Sequence, residues 1–396
     1  MFAWTSLESE TCTTVGCTCA FLPISVNHPA AARDKVKCAA VCGGLSCPSV
    51  KGSKMNNNNP CVERPVVQSF SSPGQAVEIE PGCLLRSQRT TDIDDQAASL
   101  TGWSQVYDQL SPGKYEGSVT ECWIEDLQII REHSNQCMHQ LGHSWAGSRT
   151  FIIPMLQKGE ARFGSRVIDA GDPVTLGPGQ ELDFRTPPVL DVMSVVLSTE
   201  TVSSFSQITE GQDLEATLKG CHFLHTEAAG LAELRSFFAA TFEMIQHTPH
   251  LLEYSAVRKG LRHALLTGLF ATCAIPETRR SGRRALAHKQ VVDKARAYVL
   301  ENTLEPVTIA ELCSVLGVSR RTLQMCFQEI MGTNPIHYLR AVRLNRVRRD
   351  LRRSEPGKAR VQDVACHWGF WHLSSFTADY KRMFGELPSQ TLSKPH

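Results

Sequence analysis

Polar and basic side chains near the C-terminus have the types and spacing expected for reading DNA bases. Because the helical period places Leu323, Phe327 and Ile330 on one face, the polar residues between them face outward. Arginine can hydrogen-bond two acceptors of guanine in the major groove, and glutamine can do the same with adenine. The segment predicts contacts with base edges and phosphates. Its candidate DNA-binding residues are Ser319, Arg320, Arg321, Thr322 and Gln324.

Two short helices joined by a tight turn would position these side chains. Thr308 and Glu311 form a capping box that begins the first helix. Gly317 can adopt the positive φ that a tight turn between helices requires. Ser319 then caps the second helix. This order of helix, glycine turn and capped helix predicts a helix-turn-helix unit.

A second segment, residues 361–384, repeats this pattern. Gly369 marks the turn, and Phe376, Tyr380 and Phe384 form an apolar face at steps of four residues. Small polar residues at the start of its second helix suit the groove, and basic residues at its end suit phosphates. The candidate DNA-binding residues here are Leu373, Ser374, Thr377, Lys381 and Arg382.

A basic helix is predicted between the two units, over residues 333–354. Leu344, Val347 and Leu351 form its apolar stripe, and seven arginines surround that stripe. Such a helix would hold the two recognition helices apart so that they enter successive major grooves, about 34 Å apart. We expect most of these arginines, including the candidate Arg349, to contact phosphate or solvent.

Charge divides the chain into two unlike parts. Residues 281–396 contain 19 Lys and Arg against 10 Asp and Glu, a net charge of +9, whereas the remainder carries −8. A basic module joined to an acidic body is typical of a DNA-binding domain attached to a sensor. Charge alone leaves a solvated basic face as the other interpretation.

The first 54 residues lack helical or strand periodicity, and residues 55 to about 85 have the Asn, Pro and Ser content of a flexible segment. We interpret residues 1–85 as a leader that is disordered or belongs to a mis-assigned start, with Met55 as the true first residue. Six cysteines lie within the first 54 residues without paired C-x2-C spacing or a histidine cluster. No zinc site is therefore predicted there.

Residues 86–280 are predicted to form a sensor and oligomerisation domain. Short alternating runs separated by Gly and Pro turns, over residues 101–202, indicate a small antiparallel β-barrel of cupin-like form, or a sandwich. Helical periodicity follows from Leu214, in helices that pack on the sheets or mediate dimerisation. The predicted fold class is α+β in two domains, with residues 285–396 as an all-α double helix-turn-helix DNA-binding domain.

The sequence lacks the motifs that are typical of several other functional classes. No apolar run reaches the roughly 18 residues of a membrane span, and the N-terminus lacks the pattern of a signal peptide, so a cytoplasmic location is predicted. Phosphate-loop, nucleophile-elbow and zinc-protease motifs are absent, so we predict that the protein is not an enzyme. His133, His139 and His143 lack metal-site spacing, and no metal site is predicted.

Residues 289–392 resemble the DNA-binding domain of the AraC/XylS regulators, which contains two helix-turn-helix units joined by a long helix. The usual G-x-x-P-x-x-[YF] ending appears here as Gly385, Pro388 and Thr391, without the aromatic residue. The resemblance implies a transcription activator whose partners are promoter DNA, RNA polymerase, a small-molecule effector and a second subunit. The matching positions include Ala310, Gly317, Ser319, Leu323 and Phe327.

Within that family the chain is similar to members that regulate ethanolamine-utilisation operons, through QVYDQLSPGKYEG (105–117), RLNRVRRDL (343–351) and WGFWHL (368–373). This implies ethanolamine and adenosylcobalamin as effectors, the latter being the only cofactor implied. The resemblance does not identify the ligand-binding residues. A carboxylate would suit the cation, and the candidates considered are Tyr107, Asp108, Glu116, Glu121 and Glu125.

Three alternatives stay open to test. One is an AraC-family regulator of another catabolic operon with a different effector. Another is a DNA alkyl-repair methyltransferase, although the PCHR motif that would carry its acceptor cysteine is missing. A structural DNA-bending protein is the third, but it would not need an acidic body with the strand pattern of a sensor.

Overall fold

The computed structural model describes residues 83–273, 275–277, 282–302, 307–355 and 358–394. The predicted leader and its proposed start at Met55 lie outside these residues, except for positions 83–85. Those three residues belong to the first strand, which begins at Cys83.

The described N-terminal region contains two main antiparallel sheets. The first has the strand order β1-β3-β4-β11-β6-β9 and the second β2-β5-β10-β7-β8, while β12 and β13 form a separate pair. The strands are β1 (Cys83–Thr90), β2 (Ser104–Gln109), β3 (Gly117–Ile124), β4 (Leu127–Ser134), β5 (Met138–His143), β6 (Ser148–Lys158), β7 (Ala161–Phe163), β8 (Arg166–Ile168), β9 (Val174–Leu176), β10 (Leu182–Arg185), β11 (Val189–Ser198), β12 (Leu224–His225) and β13 (Ile275–Pro276).

The two main sheets do not close into the predicted barrel. After β1 the chain forms a short helix, α1 (Ile93–Ala98), and then continues as β2, which pairs with β5 in the second sheet instead of with β1. Ile152, Leu190 and Val192 of the first sheet pack with Phe163 and Phe184 of the second. The region is therefore a two-sheet sandwich, the other form that the strand pattern allowed.

Both faces of the first sheet are buried. Its outer face packs on helices, where Ile129, Phe151 and Met193 contact a helical layer that includes Leu234 and Phe238. The predicted helical region is thus confirmed, and it packs on the sheet. Its helices are α2 (Thr199–Glu210), α3 (Leu214–Thr217), α4 (Ala228–His247) and α5 (Ser255–Cys273), with a 3-10 turn at Pro249–Glu253.

The C-terminal region is helical and has two cores. Leu323, Phe327 and Ile330 belong to the first, and Phe376 and Tyr380 to the second, as their spacing predicts. Each helix-turn-helix unit therefore has a separate apolar interior. The helices are α6 (Arg283–Glu301), α7 (Ile309–Leu316), α8 (Arg320–Met331), α9 (Pro335–Arg353), α10 (Val361–His367), α11 (Leu373–Phe384) and α12 (Pro388–Ser393).

Within the described ranges, no helix combines the length and the apolar character needed to cross a bilayer.

Candidate nucleic-acid interface

The first helix-turn-helix unit has the local structure that its sequence predicts. The Thr308 side chain accepts from the backbone N–H of Glu311 at 3.1 Å, and Glu311 accepts in return from the Thr308 N–H. Gly317 has a φ of 64°, a left-handed conformation that any side chain would strain. The Ser319 hydroxyl accepts from the Thr322 N–H at 3.1 Å and so caps α8. The start of the recognition helix is therefore fixed by its own side chains.

The predicted DNA-binding residues of α8 lie together on its outer face. Arg320, Arg321 and Gln324 are exposed, and Thr322 is half-buried, with its hydroxyl 2.9 Å from that of Ser319. Neither Arg320 nor Arg321 has a carboxylate partner among the described residues. This face presents two unpaired guanidinium groups and one amide, the groups that base-edge and phosphate contacts use.

The second unit presents a smaller polar face. Ser374 and Lys381 are exposed, whereas Leu373 packs partly into the second core. The Thr377 hydroxyl donates to the Leu373 carbonyl at 2.8 Å, and Arg382 pairs with Asp379. The structure therefore leaves fewer free groups on α11 than on α8. His372 precedes α11 without a capping hydrogen bond from its side chain.

Connecting helix α9 directs several arginines toward the N-terminal region. Arg348 and Arg349 expose only 7% and 6% of their surface. We expected Arg349 to contact phosphate or solvent, but in this structure it is buried between carboxylates. The expected phosphate contact would require the two regions to separate.

Arg349 pairs with one aspartate from α1 and one from β2. Its Nε is 2.7 Å from Asp94 Oδ1, and its Nη1 is 2.8 Å from Asp108 Oδ1. Asp108 also accepts from Arg296 Nη2 at 3.0 Å. Burial alone would raise the pKa of Asp108, but Arg349 and Arg296 outweigh it and hold that pKa below its usual range. At Asp94 burial outweighs Arg349, and the pKa is raised.

Two further arginines of α9 bind the start of α1. Arg348 Nη2 is 2.7 Å from Asp92 Oδ2, and its Nη1 is 2.5 Å from Glu386 Oε1. Arg352 pairs with Asp92 and, at 2.6 Å, with Asp95. We call the eight charged groups of this interface the aspartate–arginine lock: Asp92, Asp94, Asp95, Asp108, Arg296, Arg348, Arg349 and Arg352.

Hydrogen bonds of uncharged groups and one histidine extend the same interface. The Asn345 amide donates to the Gln109 carbonyl at 2.9 Å and accepts from its N–H at 3.0 Å. One ring nitrogen of His139 is 2.8 Å from the Tyr338 hydroxyl, and the other is 2.9 Å from Asp183 Oδ1. The Asn345 and Tyr338 contacts join the sandwich to α9, whereas the His139–Asp183 contact lies within the sandwich. Together with the lock, they hold α9 along its length.

A small cavity lies between the two sheets. One of its lining residues, Tyr107, directly precedes Asp108 of the lock. The volume of this cavity is about 20 Å³, close to what one or two water molecules need. Glu132, which the sequence analysis did not single out, lines it and exposes only 7% of its surface. The strand period was the available signal, since Glu132 shares a face of β4 with buried Ile130. The other polar or aromatic lining residues include Trp103, Gln105, Tyr107, Gln140 and Phe184.

The five residues considered for the effector are scattered. Tyr107 lines the cavity, whereas Asp108 belongs to the lock. Glu121 is buried and accepts from the Trp123 indole at 2.9 Å. Glu116 is exposed, with Lys114 3.5 Å away, and Glu125 pairs with Arg258 at 2.9 Å. The structure does not bring these five side chains into one site.

Known proteins match part of this chain. Residues 312–394 match a helix-turn-helix domain family. The probable thc operon regulatory protein of Rhodococcus erythropolis is 33% identical over 34% of this chain and 41% of its own length. The XylDLEGF operon transcriptional activator 2 of Pseudomonas putida is 34% identical over 24% of this chain, which spans 61% of that protein.

A solved structure of a probable AraC family transcriptional regulator from Rhodopseudomonas palustris is 32% identical and covers 27% of this chain and 99% of that chain, with a TM-score of 0.25. The fold shows two helix-turn-helix units in the C-terminal region, and residues 312–394 match a helix-turn-helix domain. The relatives matched over part of this chain are operon regulators. The matched relatives extend well beyond the shared segment, since the chain spans 41% and 61% of their lengths.

Proposed function

We propose that the protein is a sequence-specific DNA-binding transcription regulator. One observation carries the proposal: two helix-turn-helix units lie on one connecting helix, and the second helix of each has an exposed polar face. Arg321 and Gln324 would read bases, and Lys381 would contact phosphate. RNA polymerase and a second subunit are proposed as partners on the strength of the family resemblance alone.

Selection of a binding site from random DNA duplexes tests this proposal. The selected duplex should bind far more tightly than a scrambled duplex at the same salt concentration, as specific sites do. Arg321→Ala should weaken the selected duplex and leave the scrambled one nearly unaffected. Arg89→Ala, an exposed arginine of β1, is the matched control and should change neither. Enrichment of no sequence would refute the proposal.

The proposed effector is a small cation, and ethanolamine is the specific candidate that the resemblance of residues 105–117 provides. Support comes from Tyr107, which belongs to that segment and lines the cavity beside the buried carboxylate of Glu132. Adenosylcobalamin, the second effector proposed, is far larger than this cavity and would need another surface. An unrelated catabolic effector is the alternative.

A promoter reporter distinguishes these possibilities. Cells receive ethanolamine, adenosylcobalamin, both or neither, and calorimetry on the purified protein measures binding of each compound. Strong output only with both compounds, with heat from at least one, supports the ethanolamine proposal. Activation by another compound, without heat from either, removes it and leaves the DNA-binding proposal standing.

A further inference from the structure

Trp371 is an exposed aromatic residue at the start of α11, the second helix of the second unit. Its surface is 59% exposed, and it lies two positions before Leu373, the first residue of that helix. Among the residues that the structure describes, no group bonds to its indole N–H and no aromatic ring packs on its ring. Such an indole is typical of a binding surface, because its large apolar area gains free energy when a partner removes it from water.

The turn around Trp371 fixes its position. Phe370 is buried, and its ring centre is 5.1 Å from that of Phe376 in the second core. The Trp368 indole donates to a carboxylate of α9 at 2.6 Å, and Gly369, between the two aromatic residues, has a left-handed φ of 77°. The chain on the N-terminal side of Trp371 is therefore anchored to the core, and Trp371 is held outward before any partner binds. Binding by a preorganised side chain costs less conformational entropy.

The face of α11 that follows Trp371 offers few polar groups. Ser374 and Ala378 are four positions apart, so they lie on one side of the helix, and both are exposed and small. The Asp379 carboxylate pairs with two arginines, one on α11 and one on α9, so these cations are already partly neutralised. Small side chains allow this face to approach DNA closely, and the bulk at its end is apolar. It differs in this respect from α8, whose exposed face carries two free guanidinium groups and an amide.

We propose that Trp371 contacts the C5-methyl group of a thymine and so sets base preference in the second half of the binding site. Of the four bases, thymine alone presents a methyl group in the major groove, where apolar side chains recognise it. The first residues of a recognition helix meet the base edges, so a residue just before α11 lies close to them. The first unit then reads hydrogen-bonding groups and the second reads a methyl group. This inference rests on the proposed function, because it adds a base-reading residue to the same interface.

The arrangement of the two units also predicts where this thymine lies. Recognition helices that enter successive major grooves are about 34 Å apart, which corresponds to about 10 base pairs. Gln324→Ala identifies the base pair read by the first unit, because preference is relaxed there. The thymine read by Trp371 should lie about one helical turn from that base pair.

Replacement of single thymines by deoxyuridine tests the contact, because this change removes only the methyl group. Each thymine of the selected duplex is replaced in turn, and affinity is measured for the wild type and for Trp371→Ala. Burial of one methyl group corresponds to about fourfold in affinity, so one replacement should weaken wild-type binding by about that factor. The same replacement should have no further effect on Trp371→Ala, which has already lost the contact.

Tyr254→Ala is the matched control, since Tyr254 is an exposed aromatic residue of the N-terminal region, and this variant should keep the full deoxyuridine effect. Trp371→Ala should keep the wild-type unfolding midpoint, because the side chain is exposed. The proposal is overturned if no thymine one turn away is sensitive, or if its sensitivity persists in Trp371→Ala. Failure to select any duplex would instead count against the proposed function.

Quenching of tryptophan fluorescence by acrylamide gives a second measurement, made at saturating duplex so that it does not depend on affinity. The difference between the wild type and Trp371→Phe isolates the signal of Trp371 from those of the other tryptophans. The selected duplex should protect this signal from acrylamide, because DNA would cover the indole. A Trp371 signal that stays fully quenchable on the selected duplex would contradict the methyl contact.

Discussion

The variant Arg349→Ala tests whether this arginine contacts DNA phosphate or stabilises the interface with the N-terminal region. The side chain is 6% exposed and bonds to two carboxylates and one carbonyl across the interface. Removing one partner of a buried ion pair typically costs about 3–5 kcal/mol, because the remaining charge is left unpaired. Asp108 keeps Arg296 as a partner, so we expect the lower end, about 3 kcal/mol.

Urea unfolding followed by far-ultraviolet circular dichroism measures this loss, since the C-terminal region is helical. With a slope of about 2–3 kcal/mol per molar urea, the midpoint should fall by about 1 M. Arg353→Ala is the matched control, because that arginine lies on the same helix and is exposed. Exposed substitutions of this kind usually change stability by less than about 0.5 kcal/mol.

The same variant should leave the salt dependence of DNA binding unchanged if Arg349 belongs to the interface. Each arginine that contacts a phosphate contributes about 0.9 to the slope of log affinity against log salt. A slope that becomes shallower by about 0.9, together with an unchanged unfolding midpoint, would refute the interface role. It would show that the two regions separate on DNA and expose Arg349 to the backbone.

Three further changes have defined expectations. Ser319→Ala removes the cap of α8 and should cost about 0.5–2 kcal/mol in thermal unfolding, while Ser393→Ala, exposed in the last helix, should cost little. Gln324→Ala should cost about 1–3 kcal/mol on the selected duplex and relax base preference at one position, and uniform loss on all sequences would contradict base reading. Glu132→Gln should stabilise the unliganded protein at neutral pH. Burial raises the pKa of Glu132, so its cost appears as pH rises above the ordinary value of 4.5. Denaturation at pH 4 and pH 7 should show a difference only at pH 7.

Local signals explain why the helix-turn-helix units could be predicted from the sequence. The Thr308–Glu311 capping box and the Gly317 turn involve residues within a few positions of each other, so their geometry follows from spacing. The apolar steps of α8 and α11 likewise need only the helical period. The same reasoning predicted antiparallel strands with packed helices in the N-terminal region.

Contacts between residues far apart in sequence could not be predicted in this way. The pairing of β2 with β5, which makes a sandwich instead of a barrel, depends on where α1 redirects the chain. Arg348 and Asp92 are separated by 256 positions, and nothing in the spacing of either segment indicates the other. Basic residues on a helix of a DNA-binding domain suggest phosphate contacts, and only tertiary structure reveals the acidic partner.

The aspartate–arginine lock acts as a fixed set of counterions for α9. Four carboxylates of the N-terminal region neutralise four guanidinium groups. In a separated C-terminal domain Arg348 would keep Glu386, and the other three would be left to mobile anions. DNA would displace those mobile anions, with an entropy gain that grows at low salt. The isolated domain should therefore bind all DNA sequences more tightly than the whole chain does, with a steeper salt dependence. If the protein binds DNA as proposed, the acidic body favours discrimination by suppressing affinity that carries no sequence information.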